Sequence, residues 1–223
     1  MKSLISRLER EADKLIDTLD VHPVARTLFD GTIRGDRYAE YLEQTQHYVR
    51  SARELLCASG ARLLTQGQHP ILARLLLEKA EEEAGHDAWA RADLAALGLT
   101  GTESGPNVAV QAYVSTHRFE AEMGSGVAFL GTAYVLEALS ARRATSTVRN
   151  LLEKSPIPGI EKAVSFLRAH GEADLDHIAR LESILRGFTV PEDCEAMLRS
   201  ARRTRQFFPG FFAAPRRALS ARK

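Results

Sequence analysis

Apolar residues recur at the 3.6-residue period of an amphipathic helix along almost the whole chain. The strict alternation of a half-buried strand is missing, and no Asn-Gly or Asp-Gly turn joins two such runs. The pattern predicts helices over about 3–19, 23–29, 36–64, 70–97, 108–123, 127–152, 159–185 and 191–205. The punctuation agrees with these bounds. Val21-His22-Pro23 breaks the first helix, and Asp30-Gly31 turns the chain after the second. Asp36 can cap the third, Pro70 suits the first turn of the fourth, and Gly98 stops it. The stretch 101–106 reads as the clearest loop. From about Phe207 the tail mixes aromatics with Arg and Pro and reads as irregular. The expectation is an all-α bundle of about seven or eight helices forming one domain over 1–223, with no repeat of fixed period.

Composition narrows the class of function. With 223 residues and 44% hydrophobic content, the chain can bury one sizeable core. Thirty Lys and Arg nearly balance 29 Asp and Glu, so neither nucleic acid nor a membrane is expected as a partner. The first 19 residues lack the continuous apolar run of a signal peptide, and no segment approaches the roughly 20 apolar residues of a membrane span. Cys57 and Cys194 are too few for a disulfide framework. A cytoplasmic setting is expected.

Three segments carry the candidate chemistry. In Glu81-Glu82-Glu83-Ala84-Gly85-His86, helical spacing puts His86 on one face with Glu83, three back, and Glu82, four back. A carboxylate and an imidazole so placed can share a metal ion, although a solvated Glu-rich surface has the same pattern. In His170-Gly171-Glu172-Ala173-Asp174-Leu175-Asp176-His177, the residues His170, Asp174 and His177 fall at i, i+4 and i+7 on one stripe. Two imidazoles flanking a carboxylate suit Fe(II) or Mn(II). A hydrogen-bonded surface cluster is the alternative. The third segment is the apolar helix around Glu137, where a lone carboxylate requires a cation. That cation is either a metal or one of the nearby Arg142 and Arg143. Three helices offering such ligands together match what carboxylate-bridged di-iron sites use. Only one Glu-x-x-His pair is present, Glu83/His86, which argues against the ferritin arrangement.

At these residues the sequence resembles the haem-oxygenase-like di-iron oxidases, also described as iron-containing redox enzymes, whose fold is shared with haem oxygenase, TenA proteins and the PQQ-synthesis oxidase. The resemblance rests on His22-Pro23 with Leu28, Gly31 and Tyr41-Leu42-Glu43-Gln44, and on Glu82-Glu83-Ala84-Gly85-His86-Asp87-Ala88-Trp89 continuing to Asp93-Leu94. It rests further on Tyr134-Val135-Leu136-Glu137 and, most specifically, on the closing His170, Asp174 and His177. It implies that Glu83, His86, Glu137, His170, Asp174 and His177 are metal ligands for Fe(II), two ions in all, with Mn as an alternative. His86, Glu137 and His170 would hold one ion, Asp174 and His177 the other, and Glu83 would bridge them. A further Glu that many members carry on the third helix has no settled counterpart among Glu43, His47 and Glu54.

The activity implied is that of an O2-activating oxidase or oxygenase acting on a small amino-acid-like or fatty-acid-like substrate. Its pocket would be lined by residues such as Tyr41, Tyr48, Phe129 and Tyr134. A homodimer is implied as well, and the aromatic tail Phe207–Phe212 is a candidate to pack against the body or a partner. Haem is not expected: His22 could serve as an axial ligand, but His-Pro also occurs in haem-free members. Thr45 stands where a TenA-type hydrolase would carry a substrate-binding Asp. Met123, Tyr134 and Trp89 read as core packing. A metal-free helical module binding a small molecule or protein, or a TenA-like or PQQ-oxidase-like enzyme without metal, is the competing reading.

Overall fold

The computed structural model describes residues 3–98 and 105–213, without the side chains of 172–175. Among the described residues there are nine α-helices and no strand. In chain order they are α1 (Leu4–Val21), α2 (Pro23–Phe29), α3 (Gly35–Thr65), α4 (Pro70–Glu82), α5 (Asp87–Ala96), α6 (Val108–Met123), α7 (Phe129–Lys154), α8 (Ser165–Leu185) and α9 (Pro191–Phe207). Short 3-10 turns cover Ile160–Lys162 and Phe208–Phe212.

Local chemistry sets several of these boundaries. The Ser3 hydroxyl accepts from the Ser6 amide to cap α1, and Asn107 Oδ1 accepts from Val110 to cap α6. The His22 ring, at the predicted break, caps α2: its Nδ1 accepts from the amides of Val24 and Ala25. Proline opens α2, α4 and α9, where its missing N–H costs no helical hydrogen bond.

Helix α7 is the axis of the bundle. It packs against α8, α9 and α1 and buries residues along most of its length, from Phe129 to Leu151. The approach of α8 is close. A Cβ on Gly171 would lie 3.0 Å from the Thr145 backbone nitrogen and 2.9 Å from its hydroxyl, so any side chain there pushes α8 off α7. Helix α3, 31 residues long, forms the opposite wall with α4, α5 and α6 against it.

Three expectations are corrected. The stretch 70–97 is not one helix. It ends at Glu82 and resumes at Asp87, with Gly85 at φ +87° in the turn. The tail is not irregular from 207. Phe208–Phe212 forms a 3-10 turn whose Phe208, Phe211 and Phe212 are buried. It packs on the body: Phe212 stacks on Tyr41 at 5.5 Å, and Phe211 meets Tyr113 edge-on. Asn107 holds it by donating to the carbonyls of Gly210 and Ala213. Met123, expected in the core, is exposed. No helix among the described residues is long and apolar enough to cross a membrane.

Candidate metal centre

The break in the fourth predicted helix builds the site. After α4 the backbone turns through Gly85, whose φ of +87° is a region that residues with a Cβ rarely adopt. This turn brings Glu83 and His86 together without a continuous helix, and Glu83 Oε2 lies 2.9 Å from His86 Nδ1. The contact is off the line of the ring N–H, so His86 Nδ1 is buried without an aligned hydrogen-bond partner. Glu82 diverges to the surface side, 3.6 Å from Lys79 and 3.8 Å from Arg180. Of the two acids, Glu83 is the one beside His86 and His170.

Helix α8 brings in the third group. One donor atom from each of Glu83, His86 and His170 lies within 4.8 Å of the other two. His170 Nδ1 is 2.9 Å from the Phe166 carbonyl, one turn back on α8. A carbonyl can only accept, so Nδ1 carries the proton and Nε2 is the nitrogen left for a metal, the arrangement that orients a ligating histidine. The rings are fixed by aromatic neighbours. His86 stacks on Trp89 at 4.3 Å, Trp89 meets His170 edge-on at 5.8 Å, and Phe166 lies 4.2 Å from His170. Trp89 is therefore part of the site and not simply core.

The position of α8 is itself set from α5. Buried Asp93 accepts from the Ser165 amide at 2.9 Å, the Ser165 hydroxyl at 2.5 Å and the Phe166 amide at 3.0 Å. A carboxylate on these orphan amides neutralises the helix N-terminus and fixes the first turn of α8, one turn before His170. The spacing of Asp93 alone gave no sign of this, because its partners lie 72 residues on.

Lys79 is the other group that sequence spacing left unassigned. One turn ahead of Glu83 on α4, its Nζ lies 3.2 Å from Glu83 Oε1 and 3.3 Å from His177 Nδ1. Burial would raise the Glu83 pKa, but the adjacent His86 ring and Lys79 ammonium outweigh it and hold the carboxyl at about 2. Burial likewise works to lower Lys79, and Glu83 and Glu137 overcome it and raise Lys79 above its usual value. Among the six residues expected as ligands, Glu83, His86 and His170 converge. Glu137 and His177 line the adjoining cavity, and the side chain of Asp174 lies outside the described residues. Arg142 and Arg143, the alternative cations for Glu137, reach α1 instead: Arg142 pairs with Asp13, Arg143 with Asp20.

Two hollows meet at this cluster. One, about 220 Å³, is mostly apolar, with Tyr41, Tyr48, Leu72, Phe129, Leu136, Phe166 and the tail's Phe208 and Phe212 in its wall. The other, about 260 Å³, is lined by Lys79, Glu82, Glu83, His86, Trp89, Ala169, His170 and His177. Lys79, Glu82, Glu83, His170 and His177 border both. Tyr134, expected in the pocket wall, instead donates from its hydroxyl to Glu182 Oε1 at 3.1 Å on α8. Helix α3 contributes Tyr41, Tyr48, Val49, Ala52 and Leu56 to the apolar wall. Neither Glu43, His47 nor Glu54 is among the lining residues, and Glu54 pairs with Arg118.

The two imidazoles and one carboxylate fit a non-haem Fe(II) ion. They are the donor set of mononuclear non-haem iron oxygenases, and the 2.9 Å between Glu83 Oε2 and His86 Nδ1 would let both donors reach one ion. Solved structures share the fold. A domain of unknown function with a haem oxygenase-like fold from Shewanella denitrificans superposes with a TM-score of 0.77, at 20% identity over 93% of this chain and 89% of that one. A TenA homologue from P. horikoshii gives 0.72, at 19% identity over 95% and 97%, and another from Pyrococcus furiosus gives 0.75, at 15% over 94% and 98%. No curated protein matches the chain. The family described as iron-containing redox enzyme matches residues 39–208, a span that holds α4, α5, α7 and α8 with the whole cluster, and the chain belongs to that family.

Proposed function

We propose that this protein is an iron-dependent oxidoreductase that uses O2 to oxidise a small molecule with an apolar body. The observation that carries the reading is the convergence of Glu83, His86 and His170 beside an apolar cavity that Glu83 and His170 line. Those three residues would hold the iron, with Glu137, Asp174 and His177 as the further ligands implied by resemblance. Bound there, iron supplies the O2 binding and one-electron chemistry that side chains lack.

The chain's own residues do the rest. The lone pair of His170 is aimed by the Phe166 carbonyl, and Trp89 covers the face of His86. His86 and Lys79 keep Glu83 ionised and so able to act as a ligand. The wall of Tyr41, Tyr48, Phe129 and Phe166 receives the apolar part of the substrate and excludes water from the cluster. This lining favours a fatty-acid-like chain over a small, highly polar amino acid.

The test is anaerobic loading with Fe(II), metal quantification, and O2 uptake measured with medium-chain carboxylic acids and apolar amino acids. Iron retention with iron-dependent O2 uptake is expected. Protein that retains no iron and binds the same compounds equally well without it contradicts the reading and favours a metal-free binding module. A cytoplasmic homodimer is proposed on the same family footing, and a monomer mass by light scattering at micromolar concentration would overturn the dimer.

A further inference from the structure

We infer that Lys79 is a built-in cation occupying the place of a second metal ion, so that the protein takes up one divalent ion and excludes another. The inference rests on the iron-binding reading above and concerns the number of ions the site accepts.

The geometry around Nζ carries it. Glu83 Oε1 lies 3.2 Å away, Glu82 Oε2 3.6 Å and His177 Nδ1 3.3 Å. Glu137, which lines the same hollow, acts on the same ammonium electrostatically. Two carboxylates and an imidazole therefore lie against one positive charge, and a third carboxylate, from α7, acts on it electrostatically. They are the oxygen and nitrogen donors that a divalent ion would take. The ammonium reaches Glu83 Oε1 and His177 Nδ1 at hydrogen-bond distance, with Glu82 Oε2 just beyond it.

Two further features separate this from an ordinary helix-surface pair. Lys79 is only 23% exposed, and it borders both hollows, so the charge lies inside the site and not on its rim. The α3 wall facing it holds aromatic and aliphatic side chains, with no acid among the described lining residues. Adding a second divalent ion beside a retained ammonium would bring more positive charge to the acids and imidazole already engaged by Nζ. The ammonium and the ion therefore compete for one place.

The experiment is anaerobic titration of metal-stripped full-length protein with Fe(II) alone and, in parallel, with Mn(II) followed by electron paramagnetic resonance. Wild type is expected to bind one equivalent and give an uncoupled six-line manganese spectrum. Lys79→Met removes the charge and is expected to bind two equivalents, with spin coupling between neighbouring ions. Lys79→Arg keeps a cation and is expected to stay at one. Lys79→Gln serves in place of Lys79→Met if circular dichroism shows that the latter has lost its helices. Two equivalents in wild type, or one equivalent in the neutral variants, overturns the role of Lys79 while leaving iron binding intact. No metal in any of the proteins overturns both readings.

Discussion

At the scale of single residues, burial decides what each ionisable group can do. His170 is the plainest case in the site, because its tautomer follows from one hydrogen bond. His170→Ala is expected to abolish tight iron binding and leave the helical circular-dichroism spectrum unchanged, since its loss leaves an open position beside Glu83 and His86. Undiminished iron in that variant contradicts the assignment.

His117, remote from the proposed ligands, shows the opposite use of an imidazole. It is 1% exposed and packed among the hydroxyls of Ser200, Thr204 and Thr132, with ring contacts of 3.3 Å to Ser200 and 3.2 Å to Thr204. Burial, with Arg203 nearby, lowers its pKa from 6.5 to about 3. The unfolded ring takes up its proton near 6.5 and the folded ring does not. Its contribution is therefore complete above that value and declines, by up to roughly 1.4 kcal/mol per pH unit, as the pH falls toward 3. The ring resonance of His117 is expected to stay flat in NMR titrations from about pH 8 to about pH 4.5. A midpoint near the ordinary histidine value contradicts the buried neutral ring.

At the scale of elements, the helices were legible and the joints were not. Continuous 3.6-residue periodicity marked α1, α3, α6, α7 and α9 because each buries one stripe against the same core. The interruption at 83–86 was hidden, since a lone Gly85 is tolerated inside a helix and nothing local marks the turn. After the break, α5 is tied to the start of α8 through Asp93. The long range of that tie hid Asp93. Lys79 was obscured differently: Lys at four residues before Glu reads as a routine surface pair, and only the fold shows His177 and Glu137 on its other sides. The pairing of Glu83 with His86 was legible from spacing, and the divergence of Glu82 from them was not. Asp93→Ala is expected to destabilise the protein by about 1–3 kcal/mol, through three lost hydrogen bonds at a buried cap, and to weaken iron binding by misplacing His170. Urea denaturation and iron titration of the variant check both parts. A variant with wild-type stability would show that the cap does not anchor α8.

At the scale of the whole molecule, the bundle holds its polar cluster against an apolar hollow closed at one side by the tail, through Phe208 and Phe212. Such a site is a strong coupling between ligand and stability, because an ion held by α4, the following turn and α8 binds the folded chain and not the unfolded one. The most direct test is therefore a thermal melt of metal-stripped protein with and without anaerobic Fe(II), run beside His170→Ala. At a free iron concentration about 100-fold above its Kd, the wild type should gain roughly 2.7 kcal/mol and melt several degrees higher, while His170→Ala should not move. A wild-type melt that iron leaves in place, or an equal shift in both proteins, contradicts a metal centre built on Glu83, His86 and His170.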